Sequence, residues 1–487
     1  MAPAGGRHTS SIAQRIPSGI IYEILQYFSA PLLTGQLDHF PWYLAHICSS
    51  WRIEFMSMRR NFWNEITIYL TRKEQGRTLD VLDMFLECNL GYPFSFELDV
   101  HRNASKSYVT PIFDRIISES ARWRRVTLRL DLGDMSPLYH LKGKLEHLES
   151  LEFFLEDNSV DYIPEAFTDL FMSAPYLTRM HMYPLSTWNF NWPIVTVMHL
   201  ELVQREEVAR LPLILSQAMQ METLSIHKHF QSGKDLPFHG LVTLPNLTAL
   251  DTDCFYLLQN MIIPSLKELR LSVGWDGTGP YRAGAQVMKS FISRSQCRIQ
   301  TLALECLDIE SAIEILSHTP DIRVLYMGMI AGMIDIFGWL NEMHRVETPK
   351  LTRLQSLTMY NSSLPPGENA LDEIFDFIAW RRIRIENAGS IVEKLQKFGF
   401  GGYWDSEGEA HEVDEDDEVD EDVDREVQVR LRKLCELHGI QFSVRMDRFE
   451  INGIHDRSSD PYVYSSFFSE DLYESSDEYS GTMPVFE

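Results

Sequence analysis

The chain has 487 residues, 44% of them hydrophobic and 11% aromatic, with a formal net charge of −26. This is the composition of a folded protein, and its length exceeds what one compact core usually serves, so several units or one elongated repeat array are expected. No basic stripe on the scale that a duplex requires is present, which argues against DNA or RNA as a partner.

The charge is unevenly placed. Asp405 to Glu426 holds fourteen acidic residues and one arginine, and Asp456 to Glu487 holds eight acidic residues and one arginine. These two segments carry −20 of the −26, so the rest of the chain is close to neutral. The first fifteen residues are small and polar, with no apolar h-region of a secretory signal. The longest near-apolar run, Met327 to Leu340, carries Asp335 and falls short of the roughly 20 apolar residues of a spanning helix, so it reads as core. The six cysteines are scattered without CxxC spacing, which points to a reducing compartment, cytoplasmic or nuclear, with neither a disulfide framework nor a zinc knuckle.

Residues 1–11 read as a disordered tail, and residues 12–66 as a small helical module. Pro17 suits the first turn of a helix, where its missing N–H costs nothing. Ile20, Ile21, Ile24, Leu25 and Phe28 then recur at three- and four-residue steps. After a polar break at Gly35 and Asp38, Pro41 opens a second helix with Leu44, Ile47, Cys48 and Trp51 on one face, and Asn61-Phe62-Trp63-Asn64-Glu65-Ile66 closes the segment. Some fifty residues cannot bury this much apolar surface alone. Part of it is expected to enter another protein's groove, unless the module packs only on its own chain.

The order Ile-Pro…Ile-Leu, then Leu-Ala-x-Ile-Cys-Ser-x-Trp-Arg, then Phe-Trp-x-x-Ile resembles the F-box, in the variety common in large fungal families of the basidiomycete type. The resemblance implies docking onto the Skp adaptor of a cullin–RING (SCF) ubiquitin ligase. It implies that Ile16, Pro17, Ile20, Ile24, Leu25, Leu44, Ile47, Cys48, Trp51 and Trp63 divide between adaptor contact and internal packing. The family usually has an acidic residue two positions after the proline, where this chain has Gly19. Glycine lowers helix propensity by about 1 kcal/mol relative to alanine, and the missing charge no longer favours the helix N-terminus, so weakened docking is expected.

Residues 67–402 read as a degenerate repeat. Apolar-x-x-apolar-x-apolar recurs at Trp123-Val126-Leu128, Leu148-Leu151-Phe153, Leu177-Met180-Met182, Val195-Met198-Leu200 and Met221-Leu224-Ile226. It continues at Leu247-Leu250-Thr252, Leu266-Leu269-Leu271, Ile299-Leu302-Leu304, Ile322-Leu325-Met327 and Leu354-Leu357-Met359. The mean spacing, near 26 residues, is that of leucine-rich repeats, each a short strand followed by a helix or turn. Helical stretches are expected at Pro164–Ala174, Ser311–His318 and Leu371–Trp380. The asparagine or cysteine of the standard repeat is absent from its position, so irregular turns are expected; a generic α/β domain is the alternative. The fold expected is thus α/β: a three-helix F-box followed by an irregular leucine-rich-repeat-like solenoid with a protein-binding face. Fungal F-box proteins of this kind commonly carry such C-terminal regions.

Ile391–Phe398 reads as a helix. Residues 403–426 read as a self-repelling acidic loop, 427–455 as a helix and strand closing the solenoid, and 456–487 as an acidic disordered tail. Asp405-x-Glu407-x-Glu409 is a poor calcium loop, with Ala410 where a sharp turn wants glycine and Asp416 where a bidentate glutamate is usual. His227-x-His229 lacks a third ligand nearby in sequence and reads as a surface pair. Gly277-Thr278-Gly279 has no matching third glycine, and no nucleophile elbow or P-loop occurs. No catalytic residue, cofactor or metal is therefore expected. The function implied is substrate recognition in an SCF-type ligase, with a Skp adaptor, through it a cullin, and a target protein as partners, and no nucleic acid or membrane. The alternative is a scaffold outside the ubiquitin system, with a degenerate docking module and acidic segments that bind a basic partner.

Overall fold

The computed structural model describes residues 12–28, 32–34, 42–71, 77–155, 165–183, 189–202, 205–228, 238, 240–272, 281–305, 307–328, 336–341, 351–360, 373–379, 381, 393–401 and 421–443. The fold is α/β and is dominated by one fifteen-stranded sheet whose strand pairings are all parallel. Its strands are β1 (Leu32–Leu33), β2 (Glu65–Leu70), β3 (Phe94–Val100), β4 (Trp123–Leu130), β5 (Ser150–Leu155), β6 (Arg179–Tyr183), β7 (Val197–Leu202) and β8 (Thr223–Lys228). They continue as β10 (Ala249–Thr252), β12 (Glu268–Ser272), β13 (Thr301–Glu305), β14 (Val324–Gly328), β15 (Ser356–Tyr360), β16 (Lys397–Gly401) and β17 (Gln441–Ser443). Each pairs with the next in chain order, and the two strands left out, β9 (Val242–Thr243) and β11 (Met261–Ile262), pair with each other.

The apolar pattern sets this order. Val126, Leu151, Met180, Met198, Leu224, Leu250, Leu269, Leu302, Leu325 and Leu357 stand opposite one another in successive pairs, so the repeat position is also a physical ladder. Successive strand residues alternate between faces, so this ladder and the next apolar position turn to the same side and are buried there. Helices between strands bury their apolar stripes in the same core: Val81, Leu82, Phe85 and Leu86 from α5 (Thr78–Asn89), and Ile112, Phe113 and Ile116 from α6 (Lys106–Ser118). Capping is local. Asp308 precedes α11 (Ile309–Ser317) and its carboxylate accepts from Ser311 N at 2.8 Å.

Four expectations require correction. The array begins well before Trp123: Leu32 pairs with Ile66, Ile66 with Phe96 and Phe96 with Val126. The boundary placed at residue 66 therefore falls inside β2, and the N-terminal helices share one continuous core with the sheet. Residues 397–401 form β16 rather than continuing a helix from Ile391, because Leu395-x-x-Phe398-x-Phe400 is one more copy of the repeat. Among the described residues of the stretch Pro164–Ala174, only Glu165–Thr168 is α-helical. The final helix, Glu421–Leu437, starts inside the segment read as an acidic loop; a stretch rich in Asp and Glu suits the positive N-terminal end of a helix. The calcium-like register at Asp405 and the C-terminal acidic segment lie outside the described residues. Among the described residues no helix is long and apolar enough to cross a membrane, and the five described cysteines are free thiols.

Candidate functional site

Two surfaces carry side chains that stacking alone does not explain. The first is the N-terminal group of α2 (Ser18–Gln26), a 3-10 turn at Trp42–His46 and α3 (Ser49–Ser57). Each contributes one buried and one exposed apolar stripe. Ile21 and Leu25 of α2 are fully buried, and Trp51 and Phe55 of α3 are buried together with Met58 just past its end. On adjoining stripes Ile20 is 54% exposed, Tyr27 88%, Tyr43 57%, Ile47 44% and Ile53 66%. A soluble chain rarely leaves so many large apolar side chains in water on neighbouring elements without something to cover them.

The structure separates the residues singled out from the F-box resemblance. Pro17, Ile20 and Ile47 face solvent, and Ile16, Ile24 and Cys48 are half-buried. Leu25, Leu44, Trp51 and Trp63 are buried within the chain. Trp63 packs against Phe85 of α5, with ring centroids 6.2 Å apart, while its carbonyl accepts a hydrogen bond from the Asn89 side chain. It therefore belongs to the first stacked unit and is unavailable to a partner. Tyr27, Tyr43, Ile53 and Met56 are exposed and were not foreseen; their signal was apolar residues lying off the main helical stripe.

The second surface is the face of the sheet opposite the apolar ladder. Glu97, Thr127, Glu152, His181, His199, Ser225, Asp251 and Arg270 stand opposite one another from β3 to β12. Ionic contacts run through this row and the next. His181 Nε2 lies 3.0 Å and His199 Nε2 3.4 Å from the same oxygen of Glu201, and His227 Nε2 lies 3.5 Å from Asp251. Arg270 donates through Nε and Nη2 to both oxygens of Glu305, at 2.9 and 3.3 Å. Burial penalises a charge on His199, and with His181 beside it the imidazole pKa is pushed down to about 4. Burial acts the same way on His227, but the Asp251 carboxylate outweighs it and holds that imidazole up at about 9. This face thus holds a neutral histidine and a charged one on adjacent strands.

Sequence reasoning missed this row. Its members occupy a fixed phase, the position between the second and third apolar residues (Met180-His181-Met182, Met198-His199-Leu200, Leu250-Asp251-Thr252, Leu269-Arg270-Leu271), and superposing the repeats exposes it. His227, expected in a surface pair with His229, instead contacts Ser225 at 2.9 Å as well as Asp251; His229 and Gly277-Thr278-Gly279 lie outside the described residues.

No protein-family model matches the chain, and no curated protein matches it.

Proposed function

We propose that this chain is a substrate-recognition subunit of an SCF-type ubiquitin ligase: an F-box over residues 12–66 docks a Skp-type adaptor, and a leucine-rich-repeat-like body holds a target protein. The observation that carries the reading is the exposed apolar side chains on the N-terminal helical elements, Ile20, Tyr27, Tyr43, Ile47 and Ile53. They lie among the three sequence blocks that resemble an F-box, and a helical apolar face fits an adaptor groove. The body supports the reading in a second way. A single-file parallel sheet presents one long face of variable side chains, which suits recognition of an extended partner. In this role the chain supplies proximity, raising the target's effective concentration near the ubiquitin donor, and the chemistry belongs to the rest of the ligase.

Co-purification of the full chain with a purified Skp-type adaptor tests the proposal. A one-to-one complex on size exclusion is the expected result. Failure to capture the adaptor under conditions where an authentic F-box does so overturns the proposal in favour of a scaffold outside the ubiquitin system.

A further inference from the structure

We propose that His181, His199 and Glu201 form a binding site for a divalent first-row transition metal, of the zinc class, on the polar face of the sheet between β6 and β7. The backbone assembles it. His181 and His199 are directly paired across the two parallel strands, and Glu201 follows His199 by two residues on the same face. Three donors from two adjacent strands therefore converge without any loop having to close.

The geometry brings the three donor atoms within reach of one ion. His181 Nε2 and His199 Nε2 lie 3.0 and 3.4 Å from one carboxylate oxygen, and all three donor atoms lie within 4.8 Å of one another. Donors of a tetrahedral shell with bonds of about 2.0–2.2 Å are roughly 3.3–3.5 Å apart, close to the two His–Glu201 separations, so an ion among them needs the side chains to shift and no backbone rearrangement. Two imidazoles and one carboxylate are a donor set that zinc takes with its fourth position open, and here His181 is the most exposed member, with a side chain 21% exposed. Glu201 is 1% exposed and His199 nearly as buried, which fixes their rotamers before a ligand arrives.

The tautomer of His199 bears on the site as well. His199 Nδ1 is buried and has no hydrogen-bond partner among the described residues. With Nε2 facing a carboxylate, a neutral imidazole must either keep its proton on Nε2 and bury a bare Nδ1 lone pair, or move it to Nδ1 and set two lone pairs against each other. A cation between Nε2 and Oε1 removes that second conflict and selects the second tautomer, whose Nδ1–H finds no acceptor among the described residues. Oxygen-preferring Mg2+ and Ca2+ do not suit a site with two nitrogen donors.

The test uses full-length protein stripped of metal by chelation. Titration with Zn2+ against a chromophoric chelator is expected to show one tight equivalent, undiminished by excess Mg2+. Co2+ is expected to give the visible absorption of a tetrahedral site. His181→Gln and Glu201→Gln, at partly exposed and buried ligands respectively, are each expected to weaken Zn2+ binding by more than the roughly 10–100-fold that outer-shell partners cost, whereas the exposed His46→Gln leaves it unchanged. Absence of a tight equivalent in the wild type, absence of the Co2+ band, or unaltered Zn2+ binding in both ligand variants overturns the site. The Co2+ measurement needs no variant and so stands even if Glu201→Gln fails to fold. Adaptor capture, which uses residues of the N-terminal helices, is a separate readout.

Discussion

Arg122 Nη1 donates to Glu119 Oε2 at 2.5 Å, and the same carboxylate accepts from Arg115 Nη1 through its other oxygen at 2.7 Å. Arg122 also donates to the Tyr92 carbonyl and to the Asn89 side chain, and its guanidinium lies 5.3 Å from the Phe94 ring centroid. One carboxylate at the end of α6 thereby ties the turn after α5 to the start of β4.

This knot predicts a pH dependence. Burial alone would raise the Glu119 pKa, but the hydrogen bonds from Arg115 and Arg122 outweigh it and hold the carboxyl below its ordinary value of 4.5. A carboxylate whose folded pKa is depressed contributes stability that is fully present above its unfolded pKa and is lost as pH falls through the folded value. Glu119→Gln should therefore destabilise the fold at neutral pH by about 1–2 kcal/mol. The gap from wild type should close as pH drops below about 4. Thermal melts of both proteins across that range check this; a gap that does not narrow in acid overturns the assignment.

Arg381 presents a different case. Its side chain is 1% exposed, and it donates to the carbonyls of Leu351, Leu354 and Glu393, tying a helix to the segments that flank β15 and β16. Its guanidinium also lies 5.7 Å from the Phe377 ring centroid. Burial pushes its pKa down to about 10, still well above physiological pH, so the group stays charged. Arg381→Met keeps much of the volume but strands several buried carbonyls, at a cost of about 3–5 kcal/mol. In a stacked array the damage should be local. Urea unfolding should show a new early transition, with amide-exchange protection lost first around β15–β17. A single uniform shift of the whole transition would contradict this.

How much of this was legible in the sequence follows from what each feature depends on. The ten strands from Trp123 to Met359 were readable because each buries two apolar residues at a fixed step, a local pattern that stacking turns into one ladder. β2 and β16 carry the same step as Trp63-Ile66-Ile68 and Leu395-Phe398-Phe400 but were assigned elsewhere, the first by its likeness to an F-box block and the second by helical periodicity. β3 was hidden because Pro93 fills the leading apolar position. The polar row shows in the sequence only when the repeats are superposed. His181 and His199 are 18 positions apart in the chain, and only strand pairing sets them side by side.

The split between exposed and buried apolar residues yields a sharper test of docking than the sequence blocks alone. Ile20→Asp and Ile47→Asp alter side chains that already face water, so the melting temperature should hardly move. Each should nonetheless reduce adaptor affinity by more than about 10-fold if that face enters an apolar groove. Trp51→Ala and Trp63→Ala remove core side chains instead, with an expected loss of about 3–5 kcal/mol. Any loss of capture in these two should track loss of fold by circular dichroism. Full capture by both exposed-face variants would place the contact elsewhere.

Gly19 is the position at which the proposed docking should be tunable. A Cβ added there meets nothing within 4 Å, so no steric clash opposes a side chain. Pro17 caps α2 through its carbonyl, which accepts from Ile20 N and Ile21 N, and no side chain caps the helix. A glycine in this first turn leaves the helix with avoidable backbone entropy. Gly19→Ala should therefore stabilise α2 by up to about 1 kcal/mol. It should strengthen adaptor binding a few-fold, by preordering the helix that presents Ile20. Gly19→Glu adds a charge beside the positive end of the helix, worth about 0.3–1 kcal/mol at low salt. The two effects separate by ionic strength. The gain from alanine should survive high salt, while the additional gain from glutamate should fade as salt rises. Calorimetric titration of each variant with the adaptor at two salt concentrations measures both terms. A glutamate gain insensitive to salt would mean that the side chain contacts the adaptor directly rather than acting through the helix.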